Sequence, residues 1–340
     1  MLQRIVAAVT LVVLALVLVV ATWPQLVGLE RTQYVAQLVS FRGLMIALAA
    51  VAIVVLLVLC LRFRRFRRFG ASASLLLLVF GLAGTAILAS RGFGDSRFER
   101  KTVKDLTVLQ WNTLGGAPGA PTIAKLALDS GADIVSLPET TERTADAVAA
   151  ILTADGQPMT VHTRAFNHIA KSKSTSVLIS SALGGYSIDT TIGNTSTVPT
   201  VVLRSDDGSG PVIVAVHTVA PLPKELPSWV SDLDYLKRLC VDPNVIMTGD
   251  FNATLDHLAG LGRIDDGTAS TIGGCTDAAL QSKNAALGTW PTSIPALLGA
   301  PIDHVIATHN WRVSGMRVVT DLEAAGSDHR PIVVQLSPRG

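Results

Sequence analysis

Residues Asn244–His257 read NVIMTGDFNATLDH. An apolar run of strand length meets a glycine, and Asp250 and Asn252 follow two positions apart. The run reads as a buried strand and the polar group as the turn that ends it. Gly, Asp and Asn are the commonest turn formers, so a turn alone accounts for these residues. Residues two apart on an extended chain also share a side, so the same stretch presents a carboxylate and a carboxamide to one small volume. The company these residues keep decides between a plain turn and a site.

Around that stretch, strand and helix patterns alternate. LTVLQWN, beginning at Leu106, reads as a strand, PTIAKLALDSG as a helix, ADIVSL as a strand and ERTADAVAAILTADG as a helix. A run of strands follows in MTVHTR, STSVLIS, VPTVVLR and PVIVAVHT. Helix SWVSDLDYLKRL and strand NVIMTG come next, and IDHVIAT, WRVSGMRVV and PIVVQL close the chain. This order predicts an α/β domain over residues 106–340, a mixed sheet system covered by helices with a substantial core.

The amino-terminal part is of a different kind. Ile5–Trp23, Gly43–Leu61 and Ser72–Ser90 are uncharged runs rich in Leu, Val, Ala and Ile, each near the roughly 20 residues that cross a bilayer as a helix. Residues 1–90 therefore read as a membrane domain with three transmembrane helices, and the charged, Gly-containing 91–105 as a juxtamembrane linker. A cleaved signal peptide is the alternative for the first run, but the run is long for a signal core and lacks a clean small-x-small site. LRFRRFRRFG joins the second and third runs, with Arg62, Arg64, Arg65, Arg67 and Arg68 and no acid. Short cationic loops stay in the cytoplasm, so the expected protein is a multi-pass protein of the plasma membrane. Its amino terminus lies inside and everything after Ser90 outside.

Charge divides the chain in the same place. Residues 1–90 hold eight Lys/Arg against one acid, and the remainder twenty against twenty-five, which together give the net +2. The outer region is mildly acidic, and avid binding of duplex nucleic acid, which needs a basic face, is not expected. Cys60 falls in the second span, while Cys240 and Cys275 lie in the outer region. An oxidising compartment permits a disulfide between the last two, and sequence leaves two buried thiols equally open. CxxC, HExxH, GxSxG and GxxxxGK[ST] do not occur, which removes the simplest arguments for zinc fingers, zincins, serine hydrolases and P-loop enzymes.

Chemically capable residues recur where strands end. Asn112 closes VLQWN, Glu139 follows DIVSLP, and His217 closes PVIVAVH. Asp250 and Asn252 follow VIMTG, Asp303 opens IDHVIAT, and Asp328 with His329 precedes the last strand in GSDHRPI. Each alone is explained as a cap, a core histidine, an edge acid or a turn. Sheets gather strand-end loops into one place, so the set together reads as a site.

VLQWN, DIVSLPET, VHTVAP, TGDFNA, IDHVIAT and GSDHRPI, in that order, resemble the signature of the endonuclease/exonuclease/phosphatase superfamily, with GDFN and SDHRP the specific elements. The resemblance covers Leu106 to about Leu336. It implies a four-layer α/β sandwich, two mixed sheets face to face with helices outside. It also implies a Mg²⁺- or Mn²⁺-dependent hydrolase of phosphate esters. Glu139 is then the main metal ligand, with Asn112 and Asp328 completing the shell. His329 is the catalytic imidazole held by Asp303, Asp250 competes with it for activation of water, Asn252 binds a phosphoryl oxygen, and His217 contacts phosphate or assists the leaving group. Relatives commonly carry Gln or Asn where this chain has Pro138, so the support of Glu139 is expected to differ. His162, His168, His257 and His309 match no motif and read as surface or structural, with His168 the one that borders the site if any does; Lys171 and Lys173 read as a solvated loop. Membrane tethering and the acidic outer region favour a phospholipid headgroup or small organic phosphate as substrate, with an extracytoplasmic nuclease and a catalytically silent binding module as alternatives.

Overall fold

The computed structural model describes residues 1–95, 97–265 and 268–339. Three apolar helices come first: α1 (Leu2–Thr22), then after a short α2 (Val35–Ser40) the long α3 (Arg42–Arg62) and α4 (Arg67–Arg91). All three long helices are apolar and long enough to cross a membrane. α3 and α4 extend past the expected runs at both ends, with α4 starting at Arg67 rather than Ser72, while α1 starts earlier, at Leu2, and stops at Thr22, one short of the expected end. Composition marks only the apolar stretch, whereas helical hydrogen bonding continues into flanking arginines whose aliphatic stems still cover apolar surface. Ala21, Ala49 and Phe80 hold the three together.

The rest is a layered α/β sandwich. In chain order it runs β1 (Leu106–Gln110), α5 (Ala120–Ser130), β2 (Ile134–Pro138), α6 (Glu142–Ala154), β3 (Met159–Ala165), β4 (Ser174–Ser180), β5 (Tyr186–Ile188), β6 (Val201–Ser205) and β7 (Val212–His217). Then come α7 (Leu226–Leu239), β8 (Val245–Asp250), α8 (Leu255–Leu258), a small ribbon of β9 (Ile264–Asp265) and β10 (Thr268–Ala269), β11 (Cys275–Asp277), α9 (Ala278–Gln281), β12 (Asp303–Thr308), β13 (Trp311–Val318) and β14 (Ile332–Pro338). One six-stranded sheet has the order β13-β14-β1-β2-β4-β3 and the other β11-β12-β8-β7-β6-β5. Each is mixed: β1 pairs parallel with β2 and β7 with β8, and the other strand pairs in these sheets are antiparallel.

The period-two alternation of strands builds three cores from the two sheets. Val108, Ile134, Ile246 and Val305 meet in the space between the sheets. Their neighbours face outward: Leu109 and Val135 pack under α5 and α6 with Ile123 and Val148, and Met247 packs under α7 with Trp229 and Leu233. The nearly continuous apolar runs of these strands follow from burial on both faces. Cys240 and Cys275 form a disulfide, their Cα atoms 5.9 Å apart.

Two segments read as peripheral in the sequence are bound to the sandwich. Residues 97–105 run along its edge, where the Glu99 amide donates to the Ser314 carbonyl (2.8 Å) and Gln335 Nε2 to the Glu99 carbonyl (3.2 Å). Ala36 of α2 is fully buried in the cluster under α7, and its carbonyl accepts from His257 Nε2 (2.9 Å). Charge pattern alone does not reveal such docking, since each bond has a backbone group on at least one side and none joins two charged side chains.

Candidate active site

The inter-sheet core changes character along its length. On β1 the inward positions run Val108, Gln110 and then Asn112; on β8 they run Ile246, Thr248, Asp250; on β7 Ile213, Ala215, His217; on β12 Val305 gives way to Asp303. Register aligns the polar ends. His217 pairs with Asp250, and Asp250 with Asp303, so three functional side chains form one row across a sheet. Gly249 permits this close pairing, because a β-carbon there would collide with the Val216 carbonyl.

His329 closes the row from the loop before β14. Its Nδ1 donates to Asp303 Oδ2 at 2.8 Å, leaving Nε2 3.8 Å from Asp250 Oδ2. Asp303 Oδ1 accepts from Gln110 Nε2 (2.8 Å), and the His329 carbonyl accepts from Trp111 Nε1 (2.9 Å), which fixes both partners. On the other side Asn112 Nδ2 donates to Asp250 Oδ2 (3.0 Å) and Glu139 Oε1 (3.2 Å), while Asn112 Oδ1 accepts from the Leu114 amide (3.1 Å). Asn112 thus turns N–H toward both carboxylates. Asn252 donates its amide N–H to Asp250 Oδ1 (2.8 Å) and Nδ2 to the Thr218 carbonyl (2.9 Å).

Glu139 and Asn252 both have positive φ, 55° and 46°. Asn tolerates this backbone, whereas for Glu it costs on the order of 1 kcal/mol, a kind of strain that gathers at functional sites. Pro138 ends β2 opposite Thr175, and its carbonyl accepts from the Thr113 amide (3.1 Å). Support for Glu139 comes instead from Asn112; His217 Nε2 lies 3.9 Å from Glu139 Oε1, beyond hydrogen-bond reach. Asp328 Oδ2 accepts from Trp290 Nε1 (2.8 Å), and Asp328 Oδ1 is buried without a hydrogen-bond partner.

Burial and mutual charge set the protonation states. Burial opposes the imidazolium of His329, but Asp303 and Asp250 outweigh it and push its pKa up to about 10. Burial likewise raises Asp303, yet His329 and its hydrogen bonds hold that carboxyl below its usual value. Asp250 is left as the surplus acid: burial, then Asp303, push it up to about 7. His217 is driven down to about 3 by burial and by His329. Burial also raises Glu139, and Asp328 and Asp303 add to the rise.

The donor set fits a hard divalent cation. Glu139 and Asp328 are oxygen donors in one cleft, and the bare Asp328 Oδ1 is a buried acceptor that a cation satisfies. Asp250, Asp303 and His329 also bring ligand atoms within 4.8 Å of one another. In that cluster both Asp303 oxygens already accept hydrogen bonds, from Gln110 and His329, whereas Asp328 Oδ1 has none.

Sequence reasoning overlooked several contributors. Gln110 sits two before Asn112, a spacing that places it on the same side of β1. His304, inside the IDHVIAT segment, is buried, donating Nδ1 to Asp277 Oδ2 (2.7 Å) and Nε2 to the Ala253 carbonyl (2.8 Å) behind the Asp250 turn. Trp290 carried no signal. Of the histidines without a motif, His257 is structural: Nδ1 accepts from the Thr254 amide (2.8 Å) at the start of α8. His168 is exposed, and its loop reaches the cleft through Ser172.

A family model described as Endonuclease/Exonuclease/phosphatase family matches residues 109–329. Among solved structures the chain is similar to the endonuclease/exonuclease/phosphatase from Beutenbergia cavernae DSM 12333, at 19% identity and TM-score 0.51, covering 70% of this chain and 72% of that one. It is similar to humanized D. rerio TDP2 at 14% identity and TM-score 0.52, covering 69% of this chain and 99% of that one. D. rerio TDP2 complexed with single strand DNA product gives 15% identity and TM-score 0.51, with 68% and 99% covered. No curated protein matches the chain. At such identities these structures share its fold.

Proposed function

The chain belongs to the endonuclease/exonuclease/phosphatase family, and on that premise we propose that it is a divalent-metal-dependent phosphoesterase, anchored in the plasma membrane with its active site outside the cytoplasm. The observation that carries this reading is the row His217, Asp250 and Asp303, closed by His329 and facing Glu139 and Asp328 across one cleft. Glu139 and Asp328 would hold Mg²⁺ or Mn²⁺, with Asn112 steadying Glu139. The ion, when bound, neutralises charge on the phosphoryl oxygens and acidifies water.

The remaining steps belong to side chains. Asp303 fixes the His329 ring with Nδ1–H toward itself, so Nε2–H addresses the cleft. Held as imidazolium, His329 stabilises negative charge on the phosphoryl oxygens instead of taking a proton. Asp250, balanced near pH 7, accepts the proton of the attacking water as the water oxygen bonds to phosphorus; the ester P–O bond breaks with its electron pair on the departing oxygen, which is protonated by solvent. Asn252 orients Asp250 and offers its carboxamide to a phosphoryl oxygen. His217, neutral, donates a hydrogen bond to the phosphate.

The test is turnover by the full chain in detergent with Mg²⁺, Mn²⁺ or EDTA, against bis-p-nitrophenyl phosphate, phospholipid vesicles and plasmid DNA. Metal-dependent hydrolysis lost in EDTA and in His329→Ala is expected. Absence of turnover on every substrate, with His329→Ala indistinguishable from the parent, leaves a silent binding module; cleavage of plasmid alone leaves a nuclease. For sidedness, supported by the arginine-rich turn between α3 and α4, a cysteine placed at Arg339 should react with an impermeant label on intact cells. Labelling only after lysis would put the chemistry in the cytoplasm.

A further inference from the structure

Beside the catalytic row lies a cavity of about 600 Å³, a size typical of small-ligand sites. One wall is supplied by the apolar amino-terminal region: Gln37, Ser40 and Phe41, from α2 and its junction with α3, line the same space as Glu139, Asp250 and His329. The wall is fixed to the site. Phe41 packs on Trp290 with ring centroids 5.7 Å apart, and Trp290 holds Asp328. Gln37 Nε2 donates to the Pro221 carbonyl, and Gln37 Oε1 is buried without a partner.

Away from the catalytic row the lining is apolar, with Val198, Val219, Leu222 and Ile302 joining Phe41 and Trp290. Among the described residues that line it there is no Lys or Arg. A polyanion finds no counter-charge in such walls. An apolar group finds a place to leave water.

Position selects the source of that group. Helix α3 has 21 residues and starts at Arg42, immediately after Phe41. At 1.5 Å per residue it is about 31 Å long, close to the roughly 30 Å of a bilayer's hydrocarbon core. Its first turn is packed against the sandwich so closely that a β-carbon at Gly43 would collide with the Leu297 carbonyl. With α3 spanning a bilayer, as proposed, the wall of the cleft would stand at the level of lipid headgroups.

We infer that Phe41 and Gln37, with Val219, Leu222 and Trp290, form a lipid subsite, and that the substrate is a membrane phospholipid whose glycerol and proximal acyl carbons occupy it while its phosphate meets His329. This rests on the phosphoesterase reading and names its substrate class. The Gln37 carboxamide oxygen then accepts a hydrogen bond from a headgroup hydroxyl or ammonium, and Leu222, 58% exposed, forms the rim toward the acyl chains.

Two experiments on the full chain test it. In the first, kcat/KM for dioctanoyl phosphatidylglycerol, phosphatidylcholine and phosphatidylinositol is compared with that for the glycerophosphodiesters bearing the same headgroups. At least one acylated form should exceed its deacylated partner about a hundredfold, and Phe41→Ala should cut that ratio at least tenfold. Parity between the two forms, or turnover of bis-p-nitrophenyl phosphate alone, overturns the subsite and leaves the phosphoesterase standing. In the second, which needs no catalysis, His329→Ala is placed in vesicles containing phosphatidylglycerol with a diazirine near the carboxyl end of its acyl chain. Crosslinks at 219–222 are expected, reduced by Phe41→Ala. Crosslinks confined to α1, α3 and α4 overturn the proposal, whatever the activity.

Discussion

Asp250 and Asp256 lie six residues apart on either side of one turn, and both are almost wholly buried, yet their surroundings are opposite. Asp256 is gripped by two guanidinium groups, Arg91 through Nη1 to Oδ2 (2.9 Å) and Nη2 to Oδ1 (2.7 Å), and Arg42 through Nη2 (2.9 Å). Burial raises its carboxyl, but Arg91 and then Arg42 overcome that and hold it far below the usual range. Asp250 faces one imidazolium already claimed by Asp303, and its pKa rises to about 7. The protein neutralises the first charge with two cations and gives the second hydrogen bonds but no cation of its own. A buried acid without a permanent partner is costly, and such sites are where function concentrates.

The largest expected effect breaks the Asp250 side of this contrast. Asp250→Asn should lower turnover by roughly 10²–10⁴-fold, the usual contribution of a general base. In EDTA the same variant should melt higher than the parent at pH 7, by on the order of 1–3 kcal/mol, because a surplus buried charge is removed. A lower melting temperature would show that Asp250 is compensated after all.

Asp256→Asn should do the reverse, losing about 3–5 kcal/mol by stranding the buried Arg42 and the half-buried Arg91. The sign of its pH dependence follows from the lowered pKa: the ionised Asp256 contributes fully above about pH 4, its unfolded value, and less as pH falls through the folded one. Thermal melts of variant and parent in detergent should therefore differ at pH 7 and draw together below about pH 4. A difference independent of pH would point to lost packing instead of lost charge. The smallest effect calibrates the other two. Asp189 meets Arg204 (2.8 Å) at the surface, and Arg204→Ala should cost less than about 1 kcal/mol and fade in high salt.

The sequence made one side of this contrast visible. Asp250, Asn252, Glu139, Asp303, Asp328 and His329 stand out because each interrupts or ends an apolar strand, and a sheet converts such endings into neighbours. The layered sandwich was readable for a related reason: strands buried on both faces lose polar alternation, and α5, α6 and α7 keep an apolar stripe. Asp256 gave no sign, since its partners Arg42 and Arg91 are more than 150 positions away and look like ordinary ends of membrane spans. Phe41 and Gln37 were hidden by the same distance. Long-range docking between an apolar helical segment and a folded layer depends on surface shape, which periodicity does not encode. Gln110 is within reach of the alternation rule, but glutamine rarely announces chemistry.

The double grip on Asp256 has a consequence for how the molecule works as a machine in a plane. Two helices that end on one buried carboxylate do not act as a leash; if α3 and α4 cross a membrane, as proposed, they would set the height and tilt of the sandwich over the bilayer. A leashed enzyme samples a volume and meets dissolved and embedded molecules alike. One bolted at two points sweeps a surface, and its encounter rate follows the number of target molecules per unit area, so diluting the target among inert lipids should slow it even when the bulk concentration is unchanged.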